Sequence, residues 1–266
     1  MTQVIQCDGC GGSVVYDAGR EAARCLFCGS EALHADETSE ALLPDAMLPF
    51  EVDQATADGH YRRWARASWW RPRPLRSLKV RLEQLQLPVW RFDASLETHW
   101  AGLRPSRNRS GAQPCSGVEH AELSTQVPAS MGLGEAELLD LLPFREGSAV
   151  RFDPGVPHEV PALSERAASG LARDQLSSAH RQRILRSQRL RRCNASTSVR
   201  VREARLLMVP VYIGSVRYRD RPWRFVVNGQ TGKVTGHAPL DRLKVALVVA
   251  GVLVATLLWL WLRSRG

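Results

Sequence analysis

The sequence predicts an α+β body built on an antiparallel sheet. It sits between a small four-cysteine unit at the N-terminus and a single transmembrane helix at the C-terminus. Three observations lead there. Cys7, Cys10, Cys25 and Cys28 fall in a C-x2-C-x14-C-x2-C spacing. The middle of the chain switches between helical periodicity and strict alternation. Val245 to Leu262 reads VALVVAGVLVATLLWLWL, without a charge. The expected boundaries are a ribbon over 1–32, an acidic linker over 33–48, the α+β body over 49–240 and the span over 243–262.

Thiolates at the observed spacing can grip one tetrahedral ion when small residues follow the second cysteine of each pair. Gly11-Gly12 and Gly29-Ser30 meet that condition. Backbone amides in such a knuckle also reach the sulfurs. Ser13 to Tyr16 reads as a strand, Asp17-Ala18-Gly19 as a turn, and Glu21 to Arg24 as the return to the second knuckle. The pattern is that of a zinc ribbon. Two disulfides or an iron site are the competing readings. All four positions are taken by sulfur, so no water position remains. One structural Zn2+ is expected, and its binding energy supplies the fold of this small unit. His34 is a spare candidate ligand, better read as a linker residue. Cys115 and Cys193 lack a CxxC partner; they read as ordinary reduced thiols, with a reactive pair as the alternative.

Charge is strongly partitioned. Residues 1–50 hold 2 basic against 8 acidic groups, 51–110 hold 12 against 6, 111–160 hold 2 against 8, and 161–205 hold 11 against 3. Ribbons that grip nucleic acid bring basic groups to the phosphates. This one has only Arg20 and Arg24, and a zinc ion held by four thiolates adds further negative charge. A protein surface, or the basic half of the same chain, suits it better. The densest basic run is Arg181, Arg183, Arg186, Arg189, Arg191 and Arg192. It continues a helix expected from Leu163, with an apolar stripe of Leu163, Ala167, Leu171, Leu176, Ile184 and Leu190. Three readings stay open for this run: a solvated helix face, a lipid-headgroup site, or a nucleic-acid site. Only Lys79, Lys233 and Lys244 are lysine. An arginine bias so uniform can be a habit of the genome, so arginine counts alone say little about nucleic acid.

Within the body, Asp53 can cap a helix from Gln54 to about Trp70. Ala57, Tyr61, Trp64, Ala65 and Trp69 share one face, and Arg71-Pro72-Arg73-Pro74 stops it. Core packing of these aromatics is the default; an interfacial membrane element and a nucleic-acid platform are the alternatives. From Leu87 the pattern becomes period two, with Trp90, Phe92, Ala94, Leu96, Thr98 and Trp100 on one side. Gly134 to Phe144 reads as a short helix. A second strand block opens at Val209, turns near Arg219-Asp220-Arg221-Pro222, returns through Trp223, Phe225 and Val227, and turns again at Asn228 to Gly232.

The C-terminal apolar run covers roughly 27 Å as a helix, just under a hydrocarbon core of about 30 Å. Lys244 and Arg263 can snorkel at its ends, and Trp259 and Trp261 suit an interface. A buried core helix is the competing reading. The N-terminus has neither a basic nor an apolar signal region. The expected topology is single-pass in the cell (inner) membrane, with the body cytoplasmic and the basic side in.

Four further motifs accompany the ribbon: Leu48-Pro49-Phe50, Pro88-Val89-Trp90, Val209-Pro210-Val211-Tyr212 and the run WRFVVNGQTGKVTG from Trp223 to Gly236. With these and the terminal span, the chain resembles the bacterial zinc-ribbon membrane proteins labelled "TFIIB-type zinc ribbon" or "primosomal protein N′-like". The resemblance implies metal binding by Cys7, Cys10, Cys25 and Cys28. Some such relatives sit beside membrane-stress or flotillin-like scaffold proteins, which implies a membrane adaptor. Helicase activity does not follow, because no Walker A or Gly-rich phosphate loop occurs. GxSxG, HExxH and paired-carboxylate signatures are also missing, so no enzyme is expected. The expectation is a membrane-anchored cytoplasmic adaptor with the lipid bilayer and unidentified proteins as partners. A membrane-tethered nucleic-acid-binding protein using the run 181–192 is the alternative.

Overall fold

The computed structural model describes residues 2–17, 24–36, 42–72, 80, 82–105, 111–218, 221–236 and 240–264. Residues 18–23, 37–41, 73–79 and 219–220 carry parts of the ribbon turn, of the linker, of the proline-rich helix stop and of one hairpin turn. Those expectations lie outside the described residues.

The chain is a mixed α+β protein around one large, mostly antiparallel sheet. Three strands form its N-terminal end: β1 (Thr2–Cys7), β2 (Ser13–Asp17) and β3 (Leu33–Asp36). β1 lies between the other two and pairs antiparallel with both. The strand at Ser13 therefore folds back on Thr2–Gln6 through the first cysteine knuckle. Part of the expected linker is thus structured. Leu33–Asp36 belongs to the ribbon sheet, and β4 (Ala46–Met47) runs parallel to a body strand. Alternation alone could not assign four- and two-residue strands, because such runs hold two periods at most.

Helix α1 spans Gln54–Arg66, with the Asp53 side chain accepting from the Thr56 N–H at 2.7 Å. It ends sooner than expected. Ala57, Tyr61 and Ala65 are buried, whereas Trp69 lies beyond the helix and is exposed. Tyr61 stacks on Phe225 at 4.0 Å between ring centroids.

The body is dominated by three long strands. β5 (Glu83–Pro105) is flanked by β6 (Ala112–Pro128) and by β8 (Arg192–Tyr218). The expected alternating face of β5 is buried at Trp90, Phe92, Ala94, Leu96, Thr98 and Trp100. Across it lies α3 (Glu165–Ser187), capped by the Ser164 side chain; its buried residues are Ala168, Ala172, Leu176, His180 and Ile184. Two strand residues advance about 6.6 Å and four helical residues about 6 Å. Strand and helix therefore meet rung by rung. Ala168 and Ala172 meet Trp90 and Phe92. Leu176 meets Ala94 and Leu96. His180 Nδ1 lies 2.8 Å from Thr98 Oγ1. Ile184 meets Trp100 and Cys193. The expected stripe through Ala167 and Leu171 is displaced by one residue, and Leu171 is exposed. Small Ala168 and Ala172 let the helix approach the large rings of β5, so size complementarity overrides the leucine.

β9 (Arg221–Asn228) and β10 (Val234–Gly236) complete one edge as expected, joined by the turn at Asn228. α2 (Glu135–Leu141) is the expected short helix. α4 (Arg242–Ser264) is the apolar C-terminal helix.

Ribbon and body are not separate beads. The two-residue strand β7 (His158–Glu159) pairs with Val14 and Val15 of β2 and, through His158, with Gln86 of β5. The sheet is continuous through it. The main core likewise mixes Cys7, Val14, Cys25 and Phe27 with Leu85, Leu87, Leu133, Val209 and Val226. Phe27 presses on Gly132, where an added Cβ would come within 2.4 Å of its ring. Replacing Phe27 by alanine is expected to cost about 3–5 kcal/mol, read as a lower urea midpoint for the whole chain in detergent.

Candidate metal centre

Each cysteine pair closes in the same way. The Gly11 N–H donates to Cys7 O at 2.8 Å, and the Gly29 N–H to Cys25 O at 2.9 Å. One residue further, Gly12 O accepts from Cys7 N–H at 3.0 Å and Ser30 O from Cys25 N–H at 2.8 Å. Gly11 and Gly29 both have φ +74°. That left-handed conformation is why glycine follows each second cysteine. The Phe27 N–H lies 3.4 Å from Cys25 Sγ, as expected of a knuckle.

The two knuckles bring the four sulfurs together. Cys7 Sγ is 3.5 Å from Cys28 Sγ, Cys10 Sγ is 3.7 Å from Cys25 Sγ, and all four lie within 4.8 Å of one another. A disulfide needs about 2.05 Å. Four sulfurs around an ion at about 2.3 Å sit about 3.8 Å apart in a tetrahedron. The spacing fits a four-sulfur metal site, and these residues can hold one ion. Burial pushes Cys25 up to about 11 and raises Cys10 further. Burial also opposes ionisation of Cys7, but the backbone amides of Cys10 and Gly9 outweigh it and lower its pKa. Packed without a positive charge beside them, Cys10 and Cys25 resist ionisation; a bound cation would supply the missing compensation.

The other expected candidates stand apart from this cluster. His34 Nδ1 contacts Asp8 Oδ1 at 3.1 Å, outside the four-sulfur group. Cys115 and Cys193 both register with Gly102, one on each side of β5. Two strand spacings, roughly 10 Å, separate them, too far for a disulfide. Both are free thiols, and burial raises that of Cys193. The basic run is not one helical face. α3 ends at Ser187, so only Arg181, Arg183 and Arg186 are helical. Arg189 adopts φ +52° in the turn that stops the helix, and Arg192 opens β8. The Arg191 N–H donates to Leu103 O at 2.8 Å, and Arg181 Nε to Cys193 O at 3.1 Å.

Two groups that the sequence reading passed over lock the four-cysteine cluster to the body. Arg224 on β9 donates to Phe27 O at 3.1 Å and to Gly132 O, and it pairs with Glu137 of α2. Glu159 on β7 is fully buried. Its Oε1 accepts from the N–H groups of Met131 at 2.9 Å and Gly132 at 2.7 Å. Its Oε2 makes no hydrogen bond among the described residues. No spacing announces either residue, and the run from Trp223 to Gly236 contains Arg224 without singling it out. The faint signal for Arg224 is a charged side chain between Trp223 and Phe225.

No family model matches the chain, and no solved structure does. The chain is similar to the "Uncharacterized protein YdjG" of Bacillus subtilis (strain 168). The two are 28% identical over 260 residues, covering 88% of this chain and 74% of that protein.

Burial pushes the Glu159 carboxyl from an ordinary 4.5 up to about 7, against the lowering effect of Ser130, Gly132, Met131 and Arg224. The folded state therefore keeps a proton that the unfolded chain releases between these values. This contribution to stability is complete below pH 4.5 and is lost as pH rises through 7. Glu159→Gln is expected to remove that slope, a change on the order of 3 kcal/mol. Urea unfolding in detergent at pH 5 and pH 8 measures it.

Proposed function

We propose that this protein is a zinc-ribbon adaptor anchored at the cytoplasmic face of the cell membrane, where it docks other proteins. The observation that carries the reading is the C-terminal helix. Leu243–Ser264 is long and apolar enough to cross a membrane, and its apolar window has no residue buried against the rest of the protein. Leu247, Val254, Leu257 and Leu260 are all more than half exposed. In water such a surface is unfavourable along its whole length; in a bilayer it is satisfied. Arg242 and Lys244 at the near end favour a cytoplasmic body.

Zinc is the ion proposed for the four sulfurs. A closed four-thiolate site offers no open position for chemistry and suits an ion without redox demands. Four thiolates around Zn2+ leave two negative charges; of the exposed carboxylates beside them, Glu31 pairs with Arg24 and Asp8 contacts His34. The docking surface therefore suits a basic patch on a partner.

Two measurements test the reading. Purified full-length chain is expected to carry one zinc per molecule by elemental analysis, falling well below one in Cys25→Ser; one iron instead would contradict the assignment. The chain is also expected to stay with membranes through an alkaline carbonate wash. Release into the soluble fraction would remove the anchor.

A further inference from the structure

We propose that the turn after α1 is a second membrane contact: Trp69 and Trp70 lie in the headgroup layer of the same bilayer that the C-terminal helix crosses. The inference rests on the span proposed above and deepens it.

Three tryptophans cluster at this end of α1 and divide into two environments. Trp64 faces inward, 6.4 Å from the Phe225 ring between centroids, with the Arg71 guanidinium 3.7 Å from its ring centroid. Trp69 and Trp70 face outward, 57% and 38% exposed, edge to face at 5.2 Å. Their position is fixed by the base of α4. Lys244 Nζ donates to Trp69 O at 2.6 Å and to Arg71 O at 3.2 Å. The Asp241 N–H donates to Trp70 O at 2.8 Å. Lys244 Nζ also lies 5.1 Å from the Trp69 ring centroid. Asp241 and Lys244 sit at the start of α4, so the backbone of the tryptophan pair is tied to the point where the span begins. The polar layer on each side of a hydrocarbon core is about 5–7 Å thick.

The helix itself shows what is missing at that level. Indole rings belong at both interfaces of a span. α4 carries Trp259 and Trp261 near its far end, with Arg263 close to Trp259, and has no aromatic residue from Arg242 to Leu258. The near-end aromatics come instead from the body, delivered by the α1 turn. Leu240 and Leu243, 62% and 70% exposed, continue the apolar surface from the turn to the span. Exposed Arg66, in the last turn of α1, adds positive charge near this turn, whereas the Lys244 ammonium is paired with Asp241 at 3.6 Å.

The test uses the full chain in vesicles of phosphatidylcholine and phosphatidylglycerol, with bromine on the acyl chains close to the headgroups as a contact quencher of indole emission. Trp259→Phe with Trp261→Phe silences the far end. In that background six of the eight tryptophans remain, and bromine is expected to quench roughly a third of the emission. Adding Trp69→Phe and Trp70→Phe should abolish the quenching. A companion chain that keeps Trp259 and Trp261 but carries Trp69→Phe and Trp70→Phe reports on the span alone. Quenching in the companion without quenching in the first background overturns the second contact and leaves the span intact, as expected if a protein surface covers the turn. Quenching that survives removal of Trp69 and Trp70 in the silenced background also overturns it. Absence of quenching in every chain overturns both readings.

Discussion

One guanidinium holds the N-terminal unit to the rest of the molecule. Arg224 reaches from β9 to the carbonyls of Phe27 and Gly132 and to the carboxylate of Glu137. A mostly buried cation is costly unless its charge is balanced and its donors are used. Here the balance comes from α2 and Nη1 finds its acceptors in the second knuckle and the loop after β6, while Nε has no hydrogen-bond partner among the described residues. The group therefore fixes three elements at once. The same loop gives two N–H groups to Glu159, whose strand β7 stitches β2 to β5. Sheet continuity and the polar lock reinforce each other at one place.

Much of the architecture was legible where chemistry or periodicity leaves no freedom. Cysteines that share an ion need two knuckles, each followed by a glycine able to adopt positive φ, and Gly11 and Gly29 do so. From Trp90 to Trp100 the burial of β5 alternates because α3 covers only that face. The turn at Asn228 follows from its side chain, which accepts from the Gln230 and Thr231 N–H groups at 2.8 and 2.9 Å.

Elsewhere the same physics hid the answer. The first half of β8 places Cys193, Ala195, Thr197 and Val199 toward the covered side, small residues whose alternation carries little contrast. The stripe of α3 was shifted by one because alanines, not Leu171, make the closest approach to Trp90 and Phe92. The basic run lost its helical face at Arg189, whose left-handed conformation cannot be read from an arginine. The join between ribbon and body rests on a two-residue strand and on Arg224, and both are contacts between distant parts of the chain that leave no local pattern.

Phe27 lies between two of the sulfur ligands and is also a central residue of the main core. The four-cysteine cluster and the core are thus packed as one unit. If the sulfurs hold an ion, a chain lacking it would not merely lose an appendage. It would expose Leu133 and Val226, which pack with Phe27 in the core, to proteases and chaperones. Occupancy of the four-sulfur group would then bear on the stability of the entire polypeptide, beyond the N-terminal strands alone.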